Sequence, residues 1–245
     1  MAAEPRAWEG VLSHIEARLV DGNLRLGDHL PAERALAADL GVARSSVREA
    51  IRVLEAMGLV RTQTGSGPSS GAIIVARPVG GMQALMRLQV AASGFPVADV
   101  VRTRLLLETA VAADLAERAS TVDFGDARQL LDAMDNPALT PEEFLALDAQ
   151  FHLALAEASG NTVVAAMMAG LRTSIESYVL AGAARIPDWD AMAVRLRGEH
   201  RGLLNTITAG DTANARTQVH DHISGYYRDA SPASFTTPPV HLEPR

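Results

Sequence analysis

The sequence predicts a mainly α-helical protein in two parts: three helices and a β-hairpin, then an all-α antiparallel helical bundle. Three observations predict it. Residues 31–61 hold two short apolar stripes at helical spacing on either side of Gly41. The β-branched run Ile73-Ile74-Val75 follows a glycine- and serine-rich stretch, in the manner of a hairpin strand and its tip. From Met82 to residue 230 the apolar positions recur with helical period, and no strand-like alternation competes.

Taking the first part in order, Trp8, Val11, Leu12, Ile15 and Leu19 share one face of a helix that Asp21-Gly22 closes. Leu24, Leu26 and a Gly27-Asp28 turn lead to Pro31, placed to open the next helix where its missing N–H does no harm. Leu36, Ala37 and Leu40 form that helix's buried side, and Gly41 follows where a left-handed residue is wanted. Val47, Ala50, Ile51, Leu54 and Met57 are the buried stripe of the next helix. Its opposite face carries Arg44, Ser45, Arg48 and Arg52, with the arginines at i, i+4 and i+8 along one side. A helix of this size fits the DNA major groove, and arginine pairs bidentately with a guanine edge or a phosphate; a solvated charged face is the plain alternative. Ser46-x-x-Glu49 has capping-box spacing, and a helix N-terminus attracts phosphate. Strands are expected at 59–64 and 72–76, joined by the tip 65–71, a wing whose glycines permit close backbone approach to the minor groove.

The run P-A-E-R-x-L-A-x-x-L-G-V-x-R-x-x-V-R-E-A-I-x-x-L-E-x-x-G-L-V, from Pro31 to Val60, resembles the winged helix-turn-helix of the GntR family of bacterial transcription regulators. The resemblance implies a DNA-reading domain followed by a separate effector-binding domain, working as a dimer, with Arg34 touching the DNA backbone. Residue pattern and resemblance together put Arg34, Arg44, Ser45, Ser46, Arg48, Gly65 and Gly67 at the DNA. The family usually has serine where Ala43 stands, and the wing tip here is several residues longer than its usual form.

Composition sets the frame. At 245 residues, 48% of them hydrophobic, the chain can build two domains with real cores. Cysteine is absent, which excludes disulfides and thiolate metal sites. No apolar run approaches membrane-spanning length and no signal segment is visible, so a cytoplasmic protein without a membrane partner is expected. The net charge of −7 argues against nucleic acid only when taken over the whole chain: residues 1–78 carry nine Arg against nine Asp and Glu. Gly41–Arg61 alone has four Arg against two Glu, and a local basic face suffices for phosphate contact. Lysine is absent, which coding bias explains better than function. The expected division is a winged helix-turn-helix at 8–77, a Pro-Gly-Gly linker at 78–81, a helical domain at 82–230 and a disordered, proline-rich tail at 231–245.

In the second part helices are expected near 82–92, 97–119, 124–134, 141–159, 162–181, 189–209 and 212–229. Thr140-Pro141-Glu142-Glu143 has the form of a capping box, and Asn161 and Asp211 stand where caps belong. Asp148 and His152 are four apart among Phe144, Leu145, Phe151 and Leu155, while His200 and His222 also lie among apolar neighbours. Buried imidazoles and carboxylates must meet each other or a cation, and three His with one Asp suit Zn²⁺, Ni²⁺ or Fe²⁺. An Asp-x-x-x-His pair alone fits a hydrogen-bonded core pair at least as well. Residues 148–161 and 199–222 resemble the FCD domain of the FadR subfamily of GntR regulators. Metal-binding members of that subfamily ligate through an Asp and three His, which implies that Asp148, His152, His200 and His222 hold a divalent ion, zinc foremost. The resemblance also implies that Arg104, in Arg104-x-x-x-Glu108, faces an effector cavity and pairs with the carboxylate of a small organic acid. The plain alternative is an Arg104–Glu108 pair on the helix surface. Arg102 stands where the family often has an acid and is expected to alter the cavity's charge; His14, His29, His220 and His241 are expected at the surface.

The resulting expectation is a metal-dependent, effector-responsive transcription regulator, a repressor rather than an enzyme. As a homodimer it would set two recognition helices on a palindromic operator in double-stranded DNA. Two alternatives stand beside it: a metal-dependent hydrolase, since such a ligand set can activate water, and a helical domain with a purely structural role in dimerisation.

Overall fold

Apolar spacing and glycine placement build the first helices as the sequence reads. The structure, a computed structural model, describes residues 6–63, 71–76 and 78–230, and the chain divides into two units after Met82. In the first unit α1 (Ala7–Val20), α2 (Glu33–Leu40) and α3 (Arg44–Ala56) enclose Val11, Ile15, Leu36, Val47, Ile51 and Leu54. Gly41 ends α2 at φ 65° and donates its N–H to the Ala37 carbonyl, a left-handed conformation that side chains resist. The antiparallel strands β1 (Val60–Gln63) and β2 (Gly71–Ile74) pair Val60 with Ile74 and Thr62 with Ala72, shorter than the expected spans. Val60, Ala72 and Ile74 point into the core.

At two helix starts the residues play other parts than their types suggest. Pro31 precedes the N-cap Ala32 rather than opening α2. α3 begins at Arg44 after an N-cap Ala43 that makes no side-chain cap, so Ser46-x-x-Glu49 is not a capping box; both serines already lie in the first turn. His14, expected at the surface, is half-buried on α1, and its Nε2 has no hydrogen-bond partner among the described residues. The tip glycines Gly65 and Gly67, His241 and the tail 231–245 lie outside the described residues.

α4 (Pro78–Ala91) starts inside the Pro-Gly-Gly stretch expected as a linker, because a proline is tolerated in a first turn whose N–H groups lack partners anyway. Then come α5 (Val97–Glu117), a 3₁₀ turn (Ala119–Thr121), α6 (Gly125–Met134), α7 (Pro141–Ala158), α8 (Thr162–Ala183), α9 (Trp189–Thr208) and α10 (Thr212–Ala230). α5 is the hub of the bundle: it packs most extensively on α10 and also touches α7, α8 and α9. Leu115, Phe144, Phe151, Ile175, Leu196, Leu203 and Ile207 fill the space between.

The helix starts here follow their caps. Asn161 Oδ1 accepts from the N–H of Val163 and Val164, and Asp211 Oδ1 accepts from that of Asn214. Thr140 Oγ1 accepts from the Glu143 N–H at 3.2 Å while Glu143 returns a carboxylate to the Thr140 N–H at 2.9 Å. Thr140→Ala should therefore cost about 1 kcal/mol, read as a lower urea midpoint at unchanged m-value; an unchanged midpoint would deny the box any energetic role. One expectation fails here. α8 is long and apolar enough, by length and composition, to cross a membrane. Its Ala166, Met168, Ala169, Leu171 and Ile175 are instead buried within this unit, as suits a central helix that is apolar nearly all round.

Candidate metal centre and nucleic-acid interface

On the first unit, burial of Val47, Ala50, Ile51 and Leu54 turns Arg44, Ser45, Arg48 and Arg52 outward; Ser46 is half-buried, and Arg34 is exposed on α2. Glu33, the first residue of α2, lies across from them. Its Oε2 accepts from Arg48 Nη2 at 2.9 Å and its Oε1 from Arg48 Nε at 3.3 Å, and Arg44 Nη2 is 3.7 Å away. The Arg48 hydrogen bond holds the Glu33 carboxyl below its usual range. The sequence reading names the arginines and misses the carboxylate that organises them.

On the second unit four ligand atoms from α7, α9 and α10 lie within 4.8 Å of one another: those of Asp148, His152, His200 and His222. His222 Nε2 is 3.2 Å from His152 Nε2 and 3.1 Å from His200 Nε2, and Asp148 Oδ1 is 3.0 Å from His200 Nε2. The far sides of two rings fix what faces inward. His152 Nδ1 meets Glu108 Oε2 at 2.5 Å, and His222 Nδ1 meets Glu199 Oε2 at 2.8 Å. A carboxylate there takes an Nδ1–H, so both Nε2 atoms turn lone pairs to the centre and toward each other. Facing lone pairs repel unless a cation lies between them. The spacings approach the roughly 3.3 Å edge of a tetrahedron with Zn–N near 2.0–2.1 Å, so these residues fit a divalent ion.

The electrostatics keep His152 and His200 in ligating form. Burial, then the nearby Arg172 charge, pushes His152 down to about 3 against the opposing pull of Glu108. Burial, then His222, lowers His200 as well. Burial works to raise Asp148, but the His200 hydrogen bond and the Arg172 charge hold it well below the usual carboxylate range. Neutral imidazoles and an ionised carboxylate are what a metal requires.

Beside this cluster lies a cavity of about 360 Å³ whose polar wall includes Arg104, Asp148, Arg172, His222, Tyr226 and Tyr227. Arg104 does pair with Glu108, at 2.9 Å, but inside the bundle rather than on its surface, and it donates to the Tyr227 hydroxyl at 2.7 Å. Burial opposes the Arg104 charge, and Tyr227, Glu108 and Asp148 together outweigh it and raise its pKa. Arg172 is the residue that sequence reading left unassigned. Its side chain is 9% exposed and binds Asp148 Oδ2 at 3.1 Å, yet its Nε and Nη2 are buried without a hydrogen-bond partner among the described residues. Its signal was present, as the sole basic residue of the apolar run 162–183. Arg102 is exposed and pairs with Asp99, so it does not set the cavity's charge as expected. His29 and His220 are exposed, as read.

Residues 99–225 match the FCD domain, and residues 8–68 match the bacterial regulatory proteins of the gntR family. The HTH-type transcriptional regulator LutR of Bacillus subtilis (strain 168) is 30% identical over 233 residues, covering 85% of this chain and 97% of its own. An Escherichia coli (strain K12) regulatory protein named for the L-lactate dehydrogenase operon is 29% identical over 230 residues, 89% of this chain and 84% of its own. Among solved structures, Streptococcus agalactiae GntR aligns with a TM-score of 0.61 and 25% identity, over 90% of this chain and 99% of its own. These are transcription regulators, not enzymes. With a DNA-reading unit and an FCD domain matched in that order, the chain belongs to the GntR family and is a DNA-binding transcription regulator.

Proposed function

We propose that the protein is a homodimeric repressor of the FadR subfamily, acting in the cytoplasm, whose grip on a palindromic operator is controlled by a small organic acid. Arg34, Arg44, Ser45, Ser46, Arg48, Gly65 and Gly67 are its DNA-contacting residues. Asp148, His152, His200 and His222 hold a zinc ion, with nickel or iron as the other ions such donors take. The observation that carries the reading is the buried Arg172, two of whose nitrogens have no hydrogen-bond partner among the described residues, in the wall of a cavity that reaches Asp148 and His222. Arg104 and Arg172 are matched in charge by Glu108 and Asp148, so a bound divalent ion would leave the buried polar wall of the cavity positive, while Glu142 and Glu176, which also line it, are exposed to solvent. An anion is what such a pocket attracts. A short 2-hydroxy acid such as L-lactate is the first to try, given the relative named for an L-lactate dehydrogenase operon. The acid regulates only if it binds one arrangement of the dimer better than the other. Repression is the simpler output, since occupancy of the operator suffices.

Arg48→Ala tests the DNA half. Losing a bidentate base contact worth about 1–3 kcal/mol should weaken operator binding roughly 5- to 150-fold, measured by fluorescence anisotropy, with the melting curve unmoved. Unchanged affinity would remove α3 as the reading helix. A melting temperature that L-lactate and related acids leave untouched would favour the purely structural role for the helical domain.

A further inference from the structure

The DNA-reading face contains one carboxylate that a phosphate-binding surface has no use for. Glu33 opens α2, fifteen residues before Arg48, and the tight turn at Gly41 folds it beneath α3's arginines. Its side chain is 31% exposed, against 51% for Arg48 and 60% for Arg44, so the carboxylate lies below and the guanidinium groups above. The contact is side-on: Nε and Nη2 of Arg48 are spent on the two oxygens of Glu33. A guanidinium has five N–H donors in a planar fork. With two committed, the remaining parallel pair lies along the outer Nη1–Nη2 edge. That edge is the one that matches guanine O6 and N7 end-on.

We propose that Glu33 is the specificity-determining positioning residue of the DNA face, holding Arg48 so that only its outer edge is offered to a base. The inference rests on the reading of α3 given above. Glu33 acts in two ways. It fixes a side chain that would otherwise sample many rotamers, which lowers the ordering cost of base contact. It also cancels one positive charge within the arginine row, so that an arginine able to settle on any phosphate is restrained from doing so. Sequence-independent attraction is given up, and discrimination between sequences is gained.

The test compares full-length wild type and Glu33→Gln on two duplexes of equal length: one selected by the wild-type protein from a random-sequence library, and one of random sequence. Gln keeps the volume and removes the charge and one acceptor. The expected result is tighter binding to the random duplex with a salt slope steeper by about one unit, one more phosphate being neutralised. Affinity for the selected duplex should fall or stay level, so that the ratio between the two drops at least tenfold. In the Arg48→Ala background the same substitution should leave the ratio where it was. Equal tightening on both duplexes would overturn the proposal, reducing Glu33 to a general electrostatic brake. Parallel weakening on both, with a lowered melting temperature, would overturn it too, leaving a structural ion pair. If Arg48→Ala itself leaves selected-duplex binding intact, the placement of the reading helix fails; if it weakens binding while Glu33→Gln spares the ratio, only the role of Glu33 fails.

Discussion

Replacing Glu108 by Ala is expected to lower the melting temperature of the helical domain by roughly 10 °C and to weaken metal uptake by a factor of about 10–100. Glu108 is 5% exposed on α5 and is shared by three neighbours: His152 Nδ1 at 2.5 Å, Arg104 at 2.9 Å and Arg172 at 3.8 Å. Burial works to raise its pKa, and the hydrogen bond from His152 with the charges of Arg104 and Arg172 holds it far below the usual range, so it is a carboxylate in the fold. Removing one partner of a buried ionic cluster strands the others, at about 3–5 kcal/mol. In a domain of this size each kcal/mol moves the midpoint by roughly 2–4 °C. The metal effect follows from the loss of the group that orients a ligand ring, for which factors of about 10–100 are usual. Glu108→Gln separates the two: it keeps the volume and should recover part of the stability. Calorimetry and metal content of the purified variants provide the check. A variant with native midpoint and full metal would mean that α5 plays no part in the site.

Stripping the metal is expected to have the second large effect. An ion that binds only the folded bundle at a thousand times its dissociation constant contributes about 4 kcal/mol, so chelation should lower the midpoint by roughly 8–16 °C. Zinc should restore it. His152→Ala should purify without the ion and melt at one temperature with or without chelator, since it loses a donor that faces two others. Chelator-insensitive melting of the wild type, or full occupancy in His152→Ala, would dismiss the ion from those four side chains.

Much of the fold was readable because its rules are local. Gly41 at the end of α2, the Thr140–Glu143 box and Asn161 before α8 each act within a few residues, and the buried stripe of α3 is a matter of period alone. The convergence of Asp148 with His200 and His222 was not readable from spacing, since nothing local ties α7 to α9 and α10; the resemblance supplied it. Two side chains were given no role from the sequence. Arg172 stands alone among apolar neighbours and gains meaning only when α8 packs beside α7 and α5. Glu33 looks like an ordinary first-turn acid until the turn sets it under Arg48. The starts of α2 and α4 were misread for one reason: residues with strong turn or cap preferences were assigned those roles where the backbone had others for them.

The depth of the three rings has a consequence for timing. His152, His200 and His222 are 3%, 0% and 6% exposed, and they come from three different positions along the chain on α7, α9 and α10. An ion held by such rings would leave through the cavity that reaches Asp148 and His222, and only after letting go of several donors, so its exchange would be slow. An organic acid entering the open side of the cavity would come and go many times within one residence of the ion. On the proposed function, the ion would be a fixed part of the receptor and the acid the fluctuating quantity it reports.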